Sequence, residues 1–205
     1  MFSFFKRKSP TEKFGVELVE HYLGCAETAI HAIGHITPNY FKQNAASDID
    51  NYLYSLGFSK TELHMFRLAF VMCSVQLTLI LLKSISISRS SINKVESGAC
   101  KRIHEVTEHL GVELKSCDYI PEIKRIISSN TLLSNQRLFF PDKNPESEDG
   151  IFYQLAEYLY HSFLSSNTKL SSAWVNNKSL YVLGVGNGFR YCNEIAKGLY
   201  EKKNF

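Results

Sequence analysis

The sequence lacks the cysteine pattern, the charge bias and the leader that mark several classes of protein. Its five cysteines are odd in number, widely spaced and never in a C-x-x-C arrangement, which argues against a disulfide framework and predicts a reducing compartment. The net charge is only +3, whereas dedicated nucleic-acid binders carry a stronger and more clustered basic signature. The first residues place aromatics before charges, the reverse of a secretory signal. We therefore expect a cytoplasmic protein that does not bind nucleic acid.

The sequence also lacks an uninterrupted apolar run long enough to span a membrane. The longest stretch without a charged residue covers 68–82, which is shorter than the roughly 20 residues that a spanning helix needs. It also contains Ser74, Gln76 and Thr78. At 100° per residue, Arg67, Ser74 and Thr78 share one narrow stripe of an otherwise apolar helix. The pattern favours the central core helix of a globular protein.

Signatures of catalysis are missing as well. The segment G-V-G-N-G at 184–188 is similar to a dinucleotide-binding turn, but Phe189 stands where G-x-G-x-x-G requires its third glycine. The segment HEVTEH at 104–109 fits neither H-E-x-x-H nor its inverted form. No serine lies in a G-x-S-x-G elbow. The sequence therefore favours a protein that is not an enzyme.

Four of the seven histidines that the sequence contains have a glutamate four residues before them. Four residues make about one helical turn, so each pair shares a helix face, with the acid on the favourable N-terminal side. The pattern indicates helices in three separate parts of the chain. The pairs are Glu17/His21, Glu27/His31, Glu105/His109 and Glu157/His161.

Helix-start signals support the same fold class. Ser9-Pro10-Thr11-Glu12 and Ser59-Lys60-Thr61-Glu62 each have the form of a capping box. The first opens a helix that is expected to reach about residue 35, and the second opens the apolar helix at 60–87. The sequence predicts a mainly α, single-domain bundle of about six to eight helices around the buried 60–87 helix, with at most a trace of strand.

The second half of the chain is predicted piece by piece. Residues 84–92 fit a short strand or a helix end, and a helix over 91–110 is expected to close at Gly111. Pro121 is expected to start a short helix through Ile127. An acidic start at 147–149 precedes an aromatic helix at 151–163. The end of the chain is expected as an extended segment at 180–183, a turn at 184–188 and a helix at 190–203.

The sequence predicts one helical domain after a short N-terminal segment, with a candidate boundary or hinge inside the domain. Residues 1–10 form an N-terminal segment that is expected to be flexible, and 11–205 form the helical domain. The proline- and acid-rich stretch within 128–150, and its 141–150 part above all, predicts a loop or hinge. The aromatic and basic residues at 2–8 give an alternative, a peripheral contact with an anionic membrane surface.

One set of side chains has the spacing of a metal site. His31 and His35 lie one helical turn apart, as do His104 and Glu108, so two packed helices could supply four ligands to a transition metal. The alternative is that these side chains lie on solvated helix faces, in which case no cofactor is expected. If these four side chains bind a metal, the sequence predicts a helical-bundle enzyme or sensor.

The aromatic helix suggests how the protein could act without catalysis. Tyr153, Tyr158 and Tyr160 lie on several faces of the 151–163 helix, and tyrosine is enriched at the centres of protein interfaces. If they are exposed after packing, they predict a contact with a protein partner or a second copy. The sequence therefore favours a cytosolic, non-enzymatic helical protein of the adaptor, inhibitor or immunity type that acts through protein binding or self-association.

Overall fold

The computed structural model describes residues 9–37, 48–113, 116–130 and 150–203. These parts of the chain form seven α-helices and contain no β-strand, which confirms the predicted all-α bundle. Residues 2–8 and the acidic start at 147–149 lie outside the described residues, as does most of the predicted 128–150 loop. The helices are α1 (Pro10–Ile36), α2 (Ile49–Ser55), α3 (Lys60–Ser84), α4 (Arg89–Leu110), α5 (Ser116–Asn130), α6 (Ile151–Phe163) and α7 (Thr168–Lys203).

Helix starts follow the local signals of the sequence closely. The Ser9 side chain accepts a hydrogen bond from the Glu12 backbone N–H at 3.2 Å, and Pro10 occupies the first helical turn of α1. At the start of α3 both halves of the capping box are formed, since the Ser59 backbone N–H also donates to Glu62 Oε2 at 2.7 Å. Each of these contacts satisfies a backbone N–H that has no partner within the helix.

Helix α3 is the central helix of the bundle. It packs against α1, α4, α5, α6 and α7, and it is buried along most of its length. By length and composition alone it could cross a membrane, but 89% of its most apolar window is buried inside the protein. The core helix of a globular protein passes the same test of length and composition.

Glycines bring α1 very close to its neighbours. A Cβ atom on Gly15 would lie 2.1 Å from the Val95 carbonyl oxygen of α4, and one on Gly98 would lie 2.1 Å from the Glu12 carbonyl oxygen of α1. On the α7 side, a Cβ atom on Gly184 would lie 2.6 Å from the Ala32 side chain. At these distances a Cβ atom would overlap the neighbouring helix. The helices can therefore cross this closely only because glycine has no side chain.

The prediction for 180–188 is wrong, because these residues belong to the continuous helix α7. The glycines that suggested a turn are used for packing instead. Gly184 lies against α1, and a Cβ atom on Gly188 would lie 2.9 Å from the Phe70 ring of α3. Tertiary contact thus outweighs the low intrinsic helix propensity of glycine, which costs about 1 kcal/mol per residue relative to alanine.

Two other boundaries differ from the sequence prediction. α3 ends at Ser84 rather than residue 87, because Ser86 adopts a left-handed backbone with φ of 63°. Helix α5 begins before Pro121 and contains it, whereas the sequence placed proline at the helix start. A proline here removes one backbone hydrogen bond, and the remaining bonds of the helix are sufficient to keep it formed. The end of α4 at Gly111, with φ of 63°, is confirmed.

Candidate protein-binding face

The proposed metal ligands form two separate pairs. His31 and His35 are half-buried on α1, and His35 lies against α7, where it forms a hydrogen bond with the Leu180 backbone. His104 and Glu108 lie on the solvent side of α4 with Nε2 and Oε1 3.3 Å apart, and their side chains are 72% and 68% exposed. Within the described residues, no three His, Cys, Asp or Glu side chains are grouped as metal ligands would be. Metal binding stays a prediction.

Glutamates of the Glu/His pattern contact stronger cations than histidine. Glu27 forms an ion pair with Arg67, Glu105 with Arg102, and Glu157 with Lys178. The pattern correctly indicated helices α1, α4 and α6. The permanently charged partner comes from another helix in two of these three pairs, which spacing along one helix cannot show.

The tyrosines predicted to bind a partner face the inside of the bundle. Tyr153 and Tyr160 are buried, and Tyr158 is half-buried. The Lys178 ammonium lies 4.7 Å from the centre of the Tyr153 ring, and burial raises the pKa of Tyr158 to about 12. These side chains pack α6 into the bundle, and partner binding through them stays a prediction.

The polar stripe of α3 begins with an ion cluster. Arg67 donates from Nε to Glu27 Oε1 at 2.8 Å and from Nη2 to Asp50 Oδ1 at 2.6 Å, which joins α3 to α1 and α2. Burial works to lower the pKa of Arg67, but the hydrogen bonds to Glu27 and Asp50 outweigh burial and raise it. The cluster therefore fixes the positive charge in place and connects three helices.

Farther along the stripe, hydroxyl and thiol groups meet inside the bundle. The Tyr22 hydroxyl and Thr78 Oγ1 are 2.5 Å apart, and Thr78 also donates to the Ser74 carbonyl oxygen at 3.0 Å. Cys25 is in hydrogen-bonding contact with Cys192 of α7, and this contact lowers the pKa of Cys25. The Cys25 thiol is thus packed against a second thiol, as expected for a core cysteine.

Two of the three large hydrophobic side chains that are exposed in the described part of the chain lie on the outer side of α7, and the third is Ile85, just after α3. Tyr191 is 58% exposed and Leu180 is 44% exposed. They are eleven residues apart, which is close to three full turns, so they lie on one side of α7 about 16 Å apart along the axis. Gly184, which packs on Ala32 of α1, lies between them near the edge of this side. The opposite side of α7 is buried against α1 and α6. The exposed side is the α7 outer face.

Charged residues surround the α7 outer face. Arg190 and Glu194 are exposed next to Tyr191, and Glu194 Oε1 accepts a hydrogen bond from Lys197 Nζ at 2.8 Å. An aromatic side chain with charged neighbours is typical of an interface centre and its rim. The sequence reading missed this face because it divided 180–203 into three elements. The spacing of Leu180 and Tyr191 on one continuous helix is the signal that would have shown it.

Comparison with known proteins gives no family for the chain. A scan against protein-family models, a search of curated proteins and a search of solved structures each returned no match.

Proposed function

We propose that the chain is a cytosolic, non-enzymatic helical protein that acts by binding another protein or a second copy of itself through the α7 outer face. The observation that carries this proposal is the exposure of Tyr191, at 58%, on the same side of α7 as Leu180. Both are large apolar side chains that the rest of the bundle leaves in contact with water. A partner that covered them would remove this apolar surface from water. Such burial is favourable by about 25 cal/mol per Å² of apolar surface.

The character of the two side chains also supports binding. Tyrosine is among the residues that most often dominate interface energies, because it contributes a large apolar ring with few rotatable bonds. The neighbouring Arg190 and Glu194 supply charges of both signs at the rim. A partner is therefore expected to have an apolar pocket that accepts the Tyr191 ring, with polar groups around it.

Site-specific photo-cross-linking tests this function. A p-benzoylphenylalanine side chain placed at Tyr191 is expected to give one discrete adduct when the protein is irradiated in an extract of its native host. The matched control places the same group at His109, which is exposed on α4, away from α7. An adduct of the 23.4 kDa chain with itself indicates self-association, and one with another protein identifies the partner.

A substitution then distinguishes a specific contact from proximity. Tyr191→Ala is expected to weaken binding of the cross-linked partner at least tenfold, which is the hot-spot range for a buried tyrosine. Because Tyr191 is exposed, the substitution is not expected to change the free energy of unfolding by more than about 0.5 kcal/mol. Equal adducts from positions 191 and 109, or no discrete adduct from position 191, would contradict the proposal.

A further inference from the structure

A groove between α3, α4 and α5, on a different part of the molecule from the α7 outer face, has the composition of a small-molecule site. Its volume is about 650 Å³, which falls within the usual range of about 300–1,000 Å³ for ligand pockets. Four aliphatic side chains form its apolar lining: Leu79, Ile80, Ile92 and Ile127. Its polar lining residues are Gln76, Lys83, Ser84, Glu96, Lys124 and Ser128.

Gln76 is the residue that most clearly points to a ligand. It is only 4% exposed and lines the groove, yet its side-chain amide forms no hydrogen bond with any part of the chain that the structure describes. The amide can donate and accept, so a hydroxyl or carbonyl group of a ligand would satisfy it.

The lysines that line the groove favour a negatively charged ligand. Lys83 is exposed and forms no ion pair among the described residues. Lys124 lies across the groove with Nζ 2.9 Å from Glu96 Oε1. The groove lining therefore includes two ammonium groups and one carboxylate, which leaves one positive charge in excess. An anion bound beside Lys83 would meet this excess charge.

The spacing along α3 sets the shape of the ligand. Gln76 and Lys83 are seven residues apart, or about 10 Å along the helix axis. Leu79 and Ile80 lie between them on the same face and line the groove. Along α3 the groove therefore presents a polar group at Gln76, an apolar surface at Leu79 and Ile80, and a positive charge at Lys83. A matching ligand has a hydrogen-bonding group and a carboxylate joined by a hydrocarbon chain about 10 Å long.

We propose that this groove binds a hydroxylated or carbonyl-bearing medium-chain carboxylate, with the carboxylate at Lys83, the chain along Leu79 and Ile80, and the distal polar group at Gln76. Ile92 and Ile127 cover the chain from α4 and α5. The groove is expected to select such a molecule over a simple fatty acid of equal length, because only the former satisfies the Gln76 amide. This proposal does not depend on the function proposed for α7.

Calorimetric titration with three matched probes tests the proposal. The probes are 10-hydroxydecanoate, decanoate and 1,10-decanediol, which have similar chains but carry both end groups, only the carboxylate or only hydroxyls. Hydroxydecanoate is expected to bind with the lowest Kd, and each of the other two about tenfold more weakly, which corresponds to one charge-assisted or buried hydrogen bond.

Two substitutions assign the ends of the ligand. Gln76→Leu is expected to equalise the Kd values of hydroxydecanoate and decanoate. The variant is expected to fold, because the Gln76 amide has no hydrogen bond to the described chain that the substitution would break. Lys83→Gln is expected to weaken both carboxylates and leave the diol unchanged. Lys101→Gln, which alters an exposed lysine outside the groove, is the matched control.

Three results would overturn the proposal. The first is no saturable binding of any probe to the folded protein, as checked by circular dichroism. The second is equal binding of the diol and hydroxydecanoate together with no effect of Lys83→Gln, which would remove the carboxylate from the ligand class. The third is equal binding of decanoate and hydroxydecanoate to the unaltered protein, which would leave Gln76 without a role.

Discussion

Two histidines lie where burial and nearby cations disfavour their charged forms. Burial lowers the pKa of His64 on α3, and the positive charges of Arg67 and Lys60 lower it further. Its Nε2 atom is buried and has no hydrogen-bond partner in the described residues. Burial also lowers the pKa of His35 at the contact of α1 with α7, and the Leu180 backbone opposes this shift only in part. Protonation of either imidazole is therefore less favourable in the folded protein than in the unfolded chain.

The free energy of unfolding is expected to fall as the pH is lowered from about 7 to 5. An unfolded histidine has a pKa of 6.5, and the folded pKa values of His35 and His64 lie below it. Between the two values the unfolded chain binds more protons, so the stability present above pH 6.5 is lost on acidification. A His35→Gln/His64→Gln variant is expected to show a shallower decline in urea denaturation at stepwise pH.

The exposed His109 provides the comparison for this experiment. His109→Gln is expected to keep the decline of the unaltered protein, because this side chain lies on the solvent side of α4. A double variant whose stability declines with pH as steeply as that of the unaltered protein would show that neither imidazole contributes to the acid response.

At the scale of the helices, glycine position determines how closely α1 and α4 cross. Gly15→Ala and Gly98→Ala are each expected to lower the free energy of unfolding by about 2–3 kcal/mol. In both cases the new methyl group would lie 2.1 Å from a carbonyl oxygen of the other helix, so the two backbones would have to separate. Chemical denaturation of the purified variants measures this change.

Gly24 on the same helix supplies a control with the opposite sign. A Cβ atom there would have no neighbour within 4 Å, so Gly24→Ala gains helix propensity without a clash. It is expected to raise the free energy of unfolding by about 0.5–1 kcal/mol. If all three variants were stabilised, the close crossing of α1 and α4 described above would be incorrect.

Helix starts and the all-α class could be predicted from sequence because they depend on local chemistry. The side chains of Ser9 and Ser59 accept backbone hydrogen bonds within their own first turns, so a short segment contains the whole interaction. Gly184 and Gly188 could not be interpreted in this way. Whether they make a turn or a helix contact depends on Ala32 and Phe70, which are distant in the chain.

The same limit applied to the candidate sites. Tyr153 and Tyr160 have the composition of an interface, but packing of α6 in the bundle buries them. Nothing in the sequence around Tyr191 marks it as an interface residue, yet its side chain is 58% exposed. The groove residues Gln76 and Lys124 come from helices α3 and α5, and only their packing brings them together. Sequence therefore predicts the elements better than the surfaces that these elements form.

At the scale of the whole molecule, α3 is expected to be the most protected part of the chain. Hydrogen exchange of its central amides should proceed only through global unfolding, because α3 packs on five other helices. Amides of α5, which packs mainly on α3 and α6, should exchange faster. Exchange followed by mass spectrometry in detergent-free buffer measures both.

The exchange experiment also separates the core-helix interpretation from a membrane role for α3. A helix buried inside a folded bundle keeps its protection without lipid. If α3 exchanged as fast as α5 in detergent-free buffer and became protected only when vesicles were added, the membrane interpretation would replace the core-helix interpretation.

The polar stripe of α3 has a consequence for the uniqueness of the fold. A helix that is apolar on nearly every side would bury a similar apolar area in many rotations about its own axis. The hydrophobic effect alone therefore does not determine which rotation the native structure adopts. Arg67 and Thr78 find their partners on α1 in only one of these rotations. A turn of about 100°, the step of one residue, would separate both pairs. We infer that these few polar contacts determine the rotation of the central helix. They therefore contribute more to the uniqueness of the native structure than to its stability.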